Sequence, residues 1–176
     1  MKLRQNQVTS KKWPRYCIFA SLGLLALALI LYLTHCFMLN SEFDGVRDYY
    51  GEHFDELYII NTVDDEITDP IMKQGRAAMK TVASKQECEA YGLLSRYCTD
   101  LTSYPDAVRT TGEMKLLTAS VEGNSGYLWV AYYLRAYDAQ GDLCWSSGTK
   151  DERCLARWTI EKTDGNWTVT EILEHP

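Results

Sequence analysis

A chain of 176 residues has room for about one folded domain, at the usual ~100 to 200 residues per domain, so a second core is not expected. Residues 1–39 hold five basic residues (Lys2, Arg4, Lys11, Lys12, Arg15) and no acidic one, which leaves 13 of the 18 basic residues against all 24 acidic ones in the remainder, a net charge of −11. That balance argues against nucleic acid or anionic lipid as a partner of this larger part, because either needs clustered Lys and Arg to neutralise phosphates. It favours solubility instead.

After the basic tail, residues 1–15, runs "YCIFASLGLLALALILYLTHCFMLNS", which carries no charge and has the roughly 20 apolar residues a helix needs to cross hydrocarbon. A buried core helix would show a polar face, and Tyr16 to Leu33 offers only Ser21 and the tyrosine hydroxyls. A cleaved signal peptide would have a shorter apolar core and a small-x-small site, which "LTHCFMLNSEF" lacks. A lipoprotein would place a small residue, not His35, before Cys36. The expected membrane helix is 16–39, with Cys17 and Cys36 near its two ends. All five early positive charges precede it, so the positive-inside rule predicts a cytoplasmic N-terminus and an extracytoplasmic domain over 40–176.

In that domain, Phe43, Val46, Tyr50, Phe54 and Leu57 recur at steps of three and four, the spacing of one helical face, with Ser41 as N-cap. This helix would begin almost where the membrane segment stops, leaving no long stalk. A second helix is expected from Asp69 as N-cap and Pro70 as first residue, with Ile71, Ala78 and Val82 on one face and Gly75 weakening it. A third covers "KQECEAYGLLSRY", and "TDLTSYPDAVRTTGE" reads as loop.

From Glu113 the period changes to two. "MKLLTASV", "YLWVAYYLRAY", "LARWTIEK" and "WTVTEIL" read as four antiparallel strands separated by turn clusters. In the second, Leu128, Val130, Tyr132 and Leu134 point one way and Trp129, Ala131, Tyr133 and Arg135 the other. Neither set is polar, so both faces are expected to be covered, one by helices and one by the sheet's own curvature or a partner. In the last hairpin, "RWTIEKTDGNWTVTEI", Trp158, Ile160, Trp167 and Val169 share an inward face across the Asp164–Gly165 turn, with Thr159, Glu161, Thr168 and Thr170 outward. The fold class is α+β: about three helices on a curved four-stranded antiparallel sheet, behind a transmembrane helix.

Helices followed by a meander that ends Trp-x-Ile-x-Lys-x-Asp-Gly-x-Trp-x-Val resembles the last hairpin of the nuclear transport factor 2-like superfamily, over residues 42 to 174. A cystatin-like or other α+β sheet shares such a pattern. The resemblance implies a curved sheet wrapped around three helices. Its enzymes, among them ketosteroid isomerase and scytalone dehydratase, place Asp, Tyr or His in the mouth of the cone as base and oxyanion donor. Tyr50, Tyr58, Tyr132, Asp64 and Asp65 are the residue types required, but no catalytic motif matches, and tyrosines at this spacing are the usual stuff of a core.

Four cysteines, Cys88, Cys98, Cys144 and Cys154, fall in the outer domain and suggest disulfides. Three connectivities can join them, and free buried thiols are the alternative. The local one, Cys88 to Cys98 and Cys144 to Cys154, closes the shortest loops. On a continuous helix the first pair would stand ~15 Å apart, so that pairing requires a break near Gly92. No Cys-x-x-Cys exists and no histidine lies near, which excludes a zinc site by pattern. The acidic run "NTVDDEITD" lacks calcium-loop order and reads as a solvated helix start. Asn166 heads a formal glycosylation sequon. His35, His53 and His175 supply poor material for a catalytic triad, and no cofactor is implied.

Two function classes follow. One is a membrane-anchored extracytoplasmic binding or assembly module without catalytic activity, similar in layout to the single-span assembly factors of conjugation and type IV secretion machines, contacting envelope proteins or itself. The other is a small-ligand carrier or isomerase/dehydratase-like enzyme using the cone's cavity. Trp129, Tyr133 and Arg135 discriminate: if they line an open cavity an anionic or aromatic ligand is expected, and if they fill the concave face catalysis is not.

Overall fold

The computed structural model describes residues 15–175, with side chains from Phe19 onward. Most of the expected basic tail, and the Cys17 side chain, lie outside the described residues. The chain divides into two compact units, Met1–Ser41 and Glu42–Pro176. In the first, helix α1 (Arg15–Phe43) is 29 residues long, ~43 Å at 1.5 Å per residue, and therefore longer than a ~30 Å hydrocarbon core. Its apolar side chains point outward all round, Phe19, Leu24, Leu25 and Leu31 each more than 60% exposed, as expected of a helix whose solvent is lipid. The helix is long and apolar enough to cross a membrane.

The expected amphipathic helix over 43–57 is a different object. Because α1 runs unbroken through Ser41, that residue caps nothing. The chain then folds as a 3-10 turn (Asp44–Val46), a single helical turn α2 (Arg47–Tyr50) and a longer 3-10 stretch (Gly51–Tyr58), with breaks at Phe43 and Val46, whose backbones leave the helical region, and at Gly51, at φ +55°. The spacing still selected the inward residues: Phe43, Tyr50, Phe54 and Leu57 are buried and Val46 is half-buried.

Helix α3 (Asp65–Lys80) starts earlier than Asp69. Asp64 is the N-cap, its side chain accepting from the Glu66 amide, so Pro70 sits inside the helix. The buried face is Thr68, Ile71, Met72, Gly75, Ala78 and Met79. Val82 lies beyond the helix in the two-residue strand β1 (Val82–Ala83). A capping box at Ser84 and Glu87 starts the short helix α4 (Lys85–Glu89). Gly92, at φ +59°, ends it and opens a 3-10 turn (Gly92–Tyr97), which supplies the break the Cys88–Cys98 pairing requires. The two cysteines are bridged, with Cα atoms 5.8 Å apart. The bridge joins the ends of this helical excursion just where β2 (Thr99–Asp100) pairs in parallel with β1.

The main sheet is antiparallel, ordered β3 (Arg109–Glu122), β4 (Ser125–Tyr137), β6 (Cys154–Thr163), β7 (Asn166–Glu174). A fifth strand, β5 (Leu143–Ser147), was not expected; it pairs with the C-terminal end of β4 on the same side as β6. Asp164 and Gly165 both have positive φ, as a two-residue hairpin turn requires, and Trp158 and Ile160 are fully buried while Trp167 and Val169 are half-buried on the same face. The fold is thus α+β with a mostly antiparallel sheet.

Both faces of β4 are covered, as its sequence requires. Leu128, Val130, Tyr132 and Leu134 pack with Trp158 and Ile160 under α3. Close approach of α3 depends on Gly75: a Cβ there would stand 2.7 Å from the Trp158 ring. The opposite face is closed neither by curvature alone nor by a partner, but by the segment after α1. There the Tyr50 ring meets Trp129 edge-on at 4.9 Å.

Candidate functional site

The three residues expected to line a cavity do not converge on one. Trp129 is fully buried. Its indole Nε1 donates to Glu56 Oε2 at 2.9 Å, and Arg157 clasps the same carboxylate through two nitrogens at 2.7 and 3.0 Å. His53 adds a contact at 3.0 Å from an exposed position. Burial alone would raise the Glu56 pKa, but the hydrogen bonds from Arg157, His53 and Trp129 outweigh it and hold the carboxyl below its usual value. This cluster seals the face. Tyr133 is half-buried further along β4, beside a groove at the outer edge of β3. Arg135, also half-buried, has its Nε without a hydrogen-bond partner among the described residues and lines none of the grooves described here.

Of the tyrosines and aspartates with the chemistry of a superfamily site, Tyr50 donates to the Leu155 carbonyl and accepts from the His175 amide at 3.2 Å. Burial pushes its phenol well above the usual range. Tyr58 stacks edge-on against Phe54, while Asp64 and Asp65 serve the start of α3. Tyr132 alone enters a polar constellation. It donates to Glu174 Oε1, while Tyr97 donates to Oε2 at 3.2 Å and Arg96 stands 3.4 Å from the same oxygen. The Trp158 indole in turn donates to the Tyr97 hydroxyl at 2.9 Å. Burial, then the charge of Glu174, raises both phenols, so they stay protonated and act as donors.

Glu174 forms part of the wall of a groove of about 620 Å³, with Glu42, Phe43, Arg96, Ser147, Arg153 and Cys154 among its neighbours. Arg153 pairs with Glu42 at 2.7 and 2.9 Å. Ser147 links the Tyr132 hydroxyl, 3.2 Å away, to the Cys154 thiol at 3.4 Å. Cys154 is therefore free, and so is Cys144. The expected second disulfide is absent because β5 and β6 lie end to end along β4. Cys154 faces Tyr132 and Cys144 falls opposite the Ala136–Tyr137 step, ~15 Å further on at ~3.3 Å per residue, too far to bridge.

Sequence reasoning passed over Tyr97 and Glu174, since no motif links residues 77 apart. It also passed over a cationic stripe whose signal was present: Lys73, Arg76 and Lys80 recur at steps of three and four on the face of α3 opposite the core. Among the described residues no cluster of His, Cys, Asp and Glu has the arrangement of a metal site. Compared with known protein families, with curated proteins and with solved structures, the chain finds no match.

Proposed function

We propose that the protein is a single-span membrane protein, anchored through residues 16–39 with its basic N-terminus in the cytoplasm, and that its domain over 40–176 works outside the membrane as a binding or assembly module without catalytic activity. The apolar helix α1 supports the anchor, and the Cys88–Cys98 bridge supports an oxidising compartment for the domain. Helices followed by an antiparallel meander support an NTF2-like domain. The observation that carries the functional reading is Trp129: on the face of the sheet that α3 leaves uncovered, the residue expected to line a cavity is a fully buried indole capped by Tyr50 and Glu56 of the same chain. What remains for function is the outer surface, with envelope proteins or a second copy as the partners that suit it.

The groove beside Glu174 favours a second reading, a small-ligand carrier or isomerase/dehydratase-like enzyme, because it brings a carboxylate into a hollow of ligand size. Against it, both oxygens of that carboxylate are already taken by Tyr132, Tyr97 and Arg96.

The test places a photo-crosslinking amino acid at exposed positions of the full chain in intact cells, among them Lys80, Lys115, Glu122 and Lys150. Discrete protein adducts from a contiguous set of positions, unchanged by Glu174→Gln, are expected. Absence of protein adducts at every position, together with a small molecule retained by the purified full chain and lost in Glu174→Gln, would replace this reading with the carrier.

A further inference from the structure

Three of the outer unit's cations, Lys73, Arg76 and Lys80, form no ion pair among the described residues and share one exposed face of α3. Most of the others are engaged elsewhere: Arg47 with Asp55, Arg96 with Glu174, Lys115 with Glu113, Arg153 with Glu42, Arg157 with Glu56, Arg109 over the Tyr137 ring and Lys162 over the Trp167 ring. The stripe borders two grooves of about 580 and 440 Å³ that have Arg76 and Lys80 in common. Lys115 of β3, paired with Glu113 at 3.3 Å, stands on the other wall, so four cations and two carboxylates, Asp69 and Glu113, border the grooves within a domain whose net charge is −11.

The other wall of the larger groove is the outer edge of β3, from Thr110 to Lys115. This strand ends the sheet order, so no strand among the described residues pairs with its far side. Arg76 Nε donates to the Met114 carbonyl at 3.1 Å, which fixes that carbonyl as pointing away from β4. Because hydrogen-bonding direction alternates along an antiparallel strand, Gly112 and Thr110 turn their backbone groups outward as well. Gly112 is exposed and has no side chain to screen them. The other nitrogens of Arg76 have no protein partner among the described residues. The groove therefore offers outward strand backbone at Thr110 and Gly112 on one side and, on the other, a row of cations that form no ion pair among the described residues.

We infer that this groove binds an acidic peptide segment of another protein in extended form, its backbone pairing with β3 around Thr110–Met114 and its carboxylates meeting Lys73, Arg76, Lys80 and Lys115. Strand addition supplies the backbone hydrogen bonds, and alternate side chains reach the cations. The inference rests on the binding-module reading and assigns it a site and a ligand class.

The experiment uses the full chain in nanodiscs of neutral phosphatidylcholine and a fluorescein-labelled peptide of alternating Glu and Thr, read by anisotropy. Binding is expected to weaken roughly tenfold or more in the double variant Lys73→Glu/Lys80→Glu, neither position of which touches the core, and by a similar factor when alternate peptide amides are N-methylated. The Gln-for-Glu peptide is expected to bind no better than the double variant does. Equal binding by the double variant, or displacement of the peptide by inorganic tripolyphosphate at matched charge, overturns the assignment. So does self-association of the chain, followed by sedimentation, that the double variant abolishes, because the occupant is then a second copy. Failure here with protein adducts retained elsewhere on the outer unit removes the groove and leaves the binding module standing.

Discussion

Trp129 and Glu56 stand 73 residues apart in sequence, yet the indole nitrogen donates to the carboxylate at 2.9 Å across the face of the sheet that α3 does not cover. Arg157 completes the contact from the neighbouring strand, and its side chain is only 13% exposed. Truncating Glu56 therefore leaves a nearly buried guanidinium and an indole N–H without an acceptor. Glu56→Ala is expected to lower unfolding free energy by about 2 to 3 kcal/mol and Glu56→Gln by less, measured by denaturant titration of the full chain in detergent. A loss under about 0.5 kcal/mol for the alanine variant, the scatter of surface changes, would show that the cluster does not seal the face.

The same carboxylate sets an acid limit. Its folded pKa lies below the unfolded value of 4.5, so its contribution to stability is complete above that value and is lost as pH falls through the lower folded pKa. Stability of the native chain should decline below about pH 4.5 more steeply than that of Glu56→Gln. Parallel profiles for the two would contradict this.

At the alkaline end the sign reverses. Tyr50, Tyr97 and Tyr132 have folded pKa values raised by burial, so their contribution is complete below the unfolded value of 10 and is lost as pH rises above it. In a spectrophotometric titration these three should ionise only as the chain unfolds. Smooth titration of all tyrosines in one step, with native circular dichroism intact, would be the contrary result.

Gly75 lets α3 lie on Trp158. An added methyl would meet that ring at 2.7 Å and the Met114 sulfur at 2.9 Å. Gly75→Ala should destabilise by about 1 to 3 kcal/mol through overpacking, despite alanine's better helix propensity. A stabilised variant would mean that the helix and ring separate easily.

How much of this was legible in the sequence depended on how local each feature is. The period-2 patterning of β4 and of the last hairpin located the strands and their inward residues, because alternation reports directly which side is buried. Phe43, Tyr50, Phe54 and Leu57 were placed inward correctly although the single helix that would carry them is a chain of short turns. Their spacing reports burial, while continuity is lost at Phe43, Val46 and Gly51, where the backbone leaves the helical region. Strand β5 was missed because "LCWSS" has little periodicity of its own. It is held by pairing with β4, by Trp145 stacking on Tyr104 at 5.4 Å and by the Trp145 hydrogen bond to Thr99. The start of α3 was misplaced because Asp69-Pro70 imitates a capping sequence, whereas Asp64 caps four residues before Thr68, which the helix buries. Glu56 with Arg157, and Glu174 with Tyr97 and Tyr132, join distant strands and turns, and no spacing rule reaches that far.

The Cys88–Cys98 bridge closes a short loop, so removing it should cost about 2 to 3 kcal/mol in the chain-entropy account. A lower thermal midpoint for the Cys88→Ser/Cys98→Ser variant, and for the native chain in reductant, is expected. Identical midpoints would indicate that the excursion around α4 contributes nothing to the cooperative unit.

The proposed topology puts the domain over 40–176 on the far side of the membrane from the basic tail. The direct measurement introduces a cysteine at Lys150 or at Asn6 in a full chain whose Cys17, Cys36, Cys144 and Cys154 are serine, and treats intact cells with a membrane-impermeant maleimide. Labelling at position 150 in intact cells, and at position 6 only after lysis, is the predicted result. Labelling at position 6 with protection at 150 would invert the topology and contradict the account.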